Sequence, residues 1–488
     1  MSDFYDEDNM PEDTIVYDEP EAEGIPEHLY TKEEPVQEEN KMGTMPVNKL
    51  LLTMSIPMMA SMLVQSLYNI VDSIFVAKLS EDALTAVSLA FPVQVLCMAV
   101  GGGTGVGINA VLSKALGEKN QEAVNKAATN GIFLMILSSL LFFFVGIFLV
   151  KPFYYMQGTE SPAITEYGIQ YLTIVCCCSI GIFTQVTFER LLQSTGKTVL
   201  SMITQATGAV INLILDPIMI FGLLGFPKLG VAGAALATVI GQVCAGCLAI
   251  FLNYKFNKEI YISFRGFKPD GKMILKIYSV GFPSIIMQAI GSIMNYLMNQ
   301  ILLSFADTAA TVFGVYYKLQ SFFFMPVFGL NNGLVPIIAY NFGAGKRSRM
   351  MKAIKLGILY AEIIFIVGML CFILIPDKLL LLFNAEGDLM EMGQVALRII
   401  GVHFPIAAYC IILSSSFQAL GHGFYSMWVS IARQLAVLIP VAYLFSLTGQ
   451  LSLVWWAFPI AELASMIMCT LFMILVHKKT IRHIPDNV

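Results

Sequence analysis

Two aspartates sit where apolar residues should be. An acid at the centre of a membrane helix costs about 2.5–3.5 kcal/mol on insertion scales, so it marks a functional position by default. Asp72 closes the run Gln65-Ser-Leu-Tyr68-Asn69-Ile-Val-Asp72. Its polar members fall at i, i+3, i+4 and i+7 and form one stripe on an apolar helix. Such a stripe faces protein or a wet cavity rather than lipid. Asp216 lies in Asn212-Leu-Ile-Leu-Asp216-Pro217. Asn212 and Asp216 share a face at i, i+4. Pro217 lacks an N–H, so the carbonyl of Leu213 loses its helical partner and a bend is expected. Carboxylate, amide oxygen and free carbonyl together suit a proton or a hard cation such as Na⁺. The plainer alternatives are an acid reaching the interface at a helix end for Asp72 and a capped kink for Asp216.

The elements that must hold these groups are membrane helices. Of 488 residues, 57% are apolar and only 13% charged, with a mean hydropathy of +0.72. Soluble domains carry about 25% charged residues, which excludes a soluble enzyme. A spanning helix needs about 20 mostly apolar residues. Twelve such segments are expected, at 50–77, 83–112, 123–148, 162–187, 199–224, 231–254, 273–305, 308–340, 353–375, 389–418, 424–447 and 453–476. The fold class is therefore an all-α polytopic membrane protein.

The net charge of −5 conceals two parts. Residues 1–40 hold fifteen Asp and Glu against one Lys, and the other 448 carry 28 Lys and Arg against 19 acids. The stretch 1–45 is expected to be a disordered acidic tail. It has no basic and apolar signal-peptide pattern, so the first apolar helix is expected to direct insertion. Cytoplasmic loops carry the excess of Lys and Arg. With both termini inside, 22 of the 29 cations fall inside and only Lys78, Lys151, Lys228 and Lys378 outside. Trp455 and Trp456 are then expected at the outer interface.

The halves repeat. An offset of 226 pairs Pro57 with Pro283, Asn69 with Asn295, Gly103 with Gly329, Gly107 with Gly333 and Gly117 with Gly343. Later the offset becomes 225, pairing Gln193 with Gln418 and Gly196 with Gly421. Six crossings separate the partners, so the repeat is parallel and encloses a midplane cavity suited to alternating access. The expected domains are an N-terminal lobe at 46–254, a cytoplasmic linker at 255–272, a C-terminal lobe at 273–478 and a tail at 479–488. Asp72 maps to Met298 and Asp216 to Val441. The second lobe manages without either acid, which points to a task confined to the first.

Other features are less specific. Lys318, Glu362, Arg398, Arg433 and Glu462 lie inside second-half spans and divide evenly between structural pairing and transport. Glu189 and Arg190 are expected to form a solvated interfacial pair. The nine cysteines lie in apolar stretches and read as small packing residues. The lone pair Cys244 and Cys247 lacks metal or redox company. The run Gly101-Gly-Gly-Thr-Gly-Val-Gly107 has no following Lys-Ser or Lys-Thr and suits close helix packing rather than phosphate.

Several motifs together resemble the MATE (multidrug and toxic compound extrusion) family over roughly residues 46–478. They are Tyr68-Asn-Ile-Val-Asp72-Ser-Ile-Phe-Val, Gln193-Ser-Thr-Gly196-Lys, Asn212-Leu-Ile-Leu-Asp216-Pro217 and Gly230-Val-Ala-Gly-Ala-Ala-Leu-Ala-Thr238. The second half adds Pro326-Val-Phe-Gly329-Leu-Asn-Asn-Gly333 and Asn341-Phe-Gly343-Ala. The resemblance implies two pseudo-symmetric six-helix lobes and drug export driven by H⁺ or Na⁺. It is similar to the DinF-like prokaryotic branch, whose cation site would carry over to Asp72, Asn212, Asp216 and Thr238. The seventh span lacks the acid that the NorM-like branch places there.

The expected function is a secondary active multidrug antiporter in the inner (cytoplasmic) membrane, with no enzymatic activity. Coupling would run through Asp72, Asn212, Asp216 and Thr238, supported by Gln65, Tyr68, Asn69, Pro57 and Pro217. No cofactor is expected beyond the coupling ion, H⁺ or Na⁺. No metal is expected beyond Na⁺ at Asp72, Asn212 and Asp216. The expected partners are amphipathic small molecules and the bilayer, without nucleic acid, and the chain would act as a monomer. The rival is a flippase of lipid-linked or polysaccharide cargo, kept open by the buried cations Lys318, Arg398 and Arg433.

Overall fold

In the computed structural model, which describes residues 39–157 and 161–486, the apolar runs become helices whose starts are marked by side-chain caps. Ser80 Oγ accepts from Ala83 N (3.0 Å), Asn120 Oδ1 from Ala123 N (2.9 Å), and Asp270 Oδ1 from Lys272 N (2.9 Å). Each satisfies an orphan N–H of a first turn. Among the described residues, ten continuous helices are long and apolar enough to span a bilayer, and two bent pairs raise the number to twelve.

The first lobe comprises α1 (Val47–Ala77), α2 (Glu81–Gly117), α3 (Gln121–Phe148), α4 (Pro162–Cys177 and Ile180–Ser194), α5 (Thr198–Phe221) and α6 (Val231–Phe256). The second comprises α7 (Gly271–Leu303), α8 (Asp307–Gly343), α9 (Arg347–Leu374), α10 (Gly387–Gly401 and Phe404–Ala419), α11 (Gly423–Ser446) and α12 (Leu451–His483). Helices α4 and α10 bend by 43° and 50° at corresponding places, so the repeat extends to the shape of its members. One feature is unmatched. Helix α11 widens into a π-helical segment over Ala432–Leu438, just before Pro440, which cannot donate to the ladder.

The lobes meet along a seam of glycines near the end that carries the cationic loops. A Cβ on Gly103 would lie 2.7 Å from Ile285 N, and one on Gly329 would lie 2.5 Å from Met59 Cα. Gly107 meets the backbone of Ile277 and Gly281, and Gly333 meets that of Ser55, the position matching Gly281. A Cβ on Gly117 would lie 2.0 Å from the Tyr340 carbonyl oxygen, and one on Gly343 would lie 2.1 Å from that of Lys114. Each contact has its counterpart in the other half. Helix α1 thus crosses α8, α2 crosses α7, and the last turns of α2 and α8 lock together. Ser55 Oγ adds a bond to the Leu330 carbonyl (3.3 Å).

One expectation changes here. Most of the acidic tail, residues 1–38, lies outside the described residues, but the expected boundary at 45 is too late. Lys41–Thr44 form a helical turn with Met42 and Gly43 buried. Asn40 Nδ2 donates to the Thr195 carbonyl (3.1 Å), while Asn341 Nδ2 and Arg349 Nη2 reach the Met42 carbonyl (3.1 and 3.3 Å). This short segment therefore grips both lobes. Burial and the neighbouring Lys197 hold the Lys41 ammonium below the usual lysine range. Trp455 is buried among helices at 1% exposure, while its neighbour Trp456 is exposed. One residue is about 100° of helix, so adjacent indoles face different surroundings. Helix α5 continues through Pro217 and ends a turn later at Gly222 (φ +76°), so the carbonyl of Leu213 freed by the proline lies within its last two turns.

The seam gives a direct test. Gly343→Val places a side chain against backbone, and overpacking of this kind costs about 1–3 kcal/mol. Thermal unfolding in detergent should fall for Gly343→Val and for Gly117→Val. Gly314→Ala, a helical site with nothing within 4 Å, should leave the midpoint unchanged.

Candidate functional site

Helices α5 and α6 approach closely through Gly208, Gly233 and Gly241; a Cβ on Gly241 would lie 2.7 Å from the Gly208 carbonyl. That approach brings Thr238 of α6 beside Asn212 of α5. With the Asn212 amide oriented so that its nitrogen donates to Asp216 Oδ2 (3.1 Å), its oxygen accepts from Thr238 N (3.0 Å) and Thr238 Oγ1 (3.2 Å). This orientation satisfies both ends of the amide and is assigned from that network. Thr238 Oγ1 also contacts the Ala234 carbonyl (3.0 Å). Asp216 is fully buried.

Asp72 on α1 completes the group. Its carboxyl meets that of Asp216 within hydrogen-bonding reach, and Asp72 Oδ1 is buried without accepting a bond. Two carboxylates at contact cannot both stay charged and bare, so the arrangement calls for a proton or a cation between them. The structure brings Asp72, Asn212, Asp216 and Thr238 into one cluster.

The supporting residues divide. Gln65 and Tyr68 line a narrow cavity of about 60 Å³ in the first lobe, with Asn212 and Thr238 on its far wall. Tyr68 lies close enough to both aspartates to feel their charge. Asn69 is exposed and does not line this cavity. The stripe spans about 100° of helix circumference, and Asn69 falls on the opposite edge from Tyr68. Pro57 sits where α1 crosses α8, and Pro217 follows Asp216 directly.

Sequence reasoning missed two members. Tyr171 of α4 is 4% exposed, accepts from Gln94 Nε2 of α2 (2.8 Å), and lies near both aspartates. A tyrosine in an apolar helix gives no signal of its own, and Gln94 has no polar residue three or four positions away to mark a face.

The reading of Glu189 and Arg190 as a solvated pair is overturned. Glu189 is 3% exposed and accepts from Gln185 Nε2 (3.1 Å), Thr204 Oγ1 (3.0 Å) and Gln205 Nε2 (2.8 Å). Gln205 in turn holds Ser61 of α1. Arg190 points elsewhere, donating to Gln193 Oε1 (2.9 Å) and, across the seam, to Asn332 Oδ1 of α8 (2.9 Å). Adjacent residues on a helix diverge, so each finds its own partners.

A central cavity of about 410 Å³ is lined by both lobes, including Asn109 and Arg190 from the first and Gln288, Asn331 and Gln418 from the second. In the second lobe, Arg433 Nη1 donates to Glu462 Oε1 (2.8 Å). Lys318 and Arg398 are exposed, and Glu362 is half-buried on a shallow surface crevice. The three cations that kept a phosphate-binding flippase open therefore do not converge on one cavity.

Two six-helix lobes, crossed helices and a midline cavity define a multi-pass membrane transporter. The pattern of the MatE family matches residues 57–218 and again 283–444, with the two matches starting 226 positions apart, and the chain belongs to that family. It is 28% identical over 420 residues to the multidrug export protein MepA of Staphylococcus aureus (strain MSSA476), covering 86% of this chain and 91% of the relative. To MepA of Staphylococcus haemolyticus (strain JCSC1435) it is 29% identical over 422 residues, covering 85% and 90%. Its fold is similar to a solved multidrug resistance MATE family transporter in an outward-facing conformation. The TM-score is 0.85 at 24% identity, over 91% of this chain and 99% of that one.

The network predicts an asymmetry between two asparagines. Asn212→Ala leaves the buried Asp216 carboxyl without this donor, a loss worth about 1–3 kcal/mol. Its unfolding midpoint in detergent should drop clearly below that of Asn69→Ala, which should match the unaltered protein.

Proposed function

We propose that this transporter is a secondary active multidrug exporter that exchanges amphipathic compounds for H⁺ or Na⁺ bound at Asp72 and Asp216. The observation that carries this reading is the meeting of two carboxyls from different helices, framed by Asn212 and Thr238, in one lobe only. Its multidrug-exporting relatives favour this cargo over a lipid-linked one. The cationic end of the molecule is the cytoplasmic side by the distribution of Lys and Arg, with both termini there and the chain in the cell membrane. The seam then closes the cytoplasmic side, and the present form is outward-facing. The chain works as a monomer, and no cofactor takes part.

Helix α1 links ion to drug because it carries Asp72 toward one end and the crossing with α8 toward the other. A proton or Na⁺ between the carboxyls draws α1 and α5 together; its loss leaves like charges that push them apart. Either change is transmitted to the seam at Ser55 and Met59. Binding an ion preferentially in one form shifts the equilibrium between the two forms by the difference in affinity.

The test is export from proteoliposomes under an imposed pH gradient or an imposed sodium gradient, each alone. One gradient should drive export, and Asp72→Asn and Asp216→Asn should each reduce it to the level of protein-free vesicles. Full gradient-driven export by both variants sinks the coupling role.

A further inference from the structure

The second lobe holds a cavity that the coupling site does not touch. It measures about 390 Å³, within the range of small-molecule sites, and shares Gln288, Phe324 and Arg433 with the central cavity. Aromatic rings form much of its wall, among them Phe313, Tyr316 and Phe458, whose centroids lie 5.8–6.0 Å apart in the pairs Phe313–Phe458 and Tyr316–Phe458. Flat rings at such spacings suit a planar aromatic guest.

The ion pair at its edge is incomplete at both ends. Glu462 is 5% exposed, and only Oε1 is engaged; Oε2 is buried without a partner. Arg433 spends one nitrogen, Nη1, on Glu462, and its side chain keeps 27% exposure toward the two cavities it lines. A guanidinium offers five N–H donors and a carboxylate about four acceptor positions, so most of both remain for a ligand. The other titratable side chains on the wall are His403, Tyr316 and Tyr317. The π-helical segment that begins at Ala432 sets Arg433 on this wall, and the matching first-lobe helix α5 has no such widening. The site is thus specific to the second lobe.

A lone carboxylate would select cations. A pair with one free face on each partner presents a dipole instead. We propose that this second-lobe cavity is a substrate site for planar aromatic zwitterions, with the ligand's cationic or N–H group on Glu462 Oε2 and its anionic group on the Arg433 guanidinium. A simple cation gains the first contact but also meets the arginine's charge. The proposal rests on the drug-export reading for its purpose, though binding itself can be measured without any gradient.

The probes are rhodamine 110, a xanthylium with a free benzoate, and rhodamine 123, its methyl ester, which keeps the rings and loses the negative charge. Binding is read by fluorescence anisotropy on the full chain purified in detergent. The unaltered protein should bind rhodamine 110 about tenfold more tightly than rhodamine 123, a difference of about 1.4 kcal/mol. The double variant Arg433→Gln with Glu462→Gln removes both charges together and leaves no bare buried ion; it should bind the two dyes equally. Tyr317→Leu, on the aromatic wall, should weaken both and keep their ratio. Equal affinities in the unaltered protein overturn the proposal without need of any variant, and so does a preserved preference in a folded double variant. Binding by this rule without gradient-driven export would remove the export reading and leave the site standing; export without the preference would do the reverse.

Discussion

The whole arrangement depends on backbone meeting backbone across the lobes. Where Gly117 faces the Tyr340 carbonyl and Gly343 the Lys114 carbonyl, no side chain fits between the helices. In lipid, helix association draws on close packing rather than on the hydrophobic effect, so these contacts hold what greasy surfaces alone would not. They come in pairs related by the repeat, and this gives the seam its twofold character. The short segment from Asn40 to Met45 and the Arg190–Asn332 bond cross the same boundary with polar contacts.

Against that symmetrical frame the polar chemistry is unsymmetrical. The first lobe gathers Asp72, Asp216, Asn212 and Thr238, and beside them the caged Glu189. The second has apolar residues at the positions matching the two aspartates and carries instead an ion pair between Arg433 of α11 and Glu462 of α12. One scaffold, duplicated, thus supports an oxygen cluster in one half and a dipole in the other. Helix α1 passes from the cluster to the seam.

Much of this was legible along the chain because a membrane penalises polar groups so strongly. Asp72 and Asp216 stand out on cost alone, and the spacing of Gln65, Tyr68 and Asp72 already placed them on one face. Thr238 is different. It sits on another helix, no periodicity ties it to Asn212, and only the motif shared with the family pointed to it. Tyr171 and Gln94 were missed, since a tyrosine is cheap in an apolar helix and Gln94 has no polar neighbour on its own face. Glu189 was misread because its position near a helix end suggests water, whereas three donors from α4 and α5 enclose it.

The sequence by itself determined the number of spans, their common repeat and which residues were too polar to face lipid. These follow from one-dimensional rules: the thickness of the bilayer, the helical period and the free energy of burying charge. Only the tertiary structure decided partners. That Asp72 meets Asp216, that Arg190 reaches the other lobe rather than Glu189, and that Arg433 finds Glu462 twenty-nine residues away are set by which faces the glycine approaches bring together. A helical period says where a side chain points on its own helix, but not which helix it will meet.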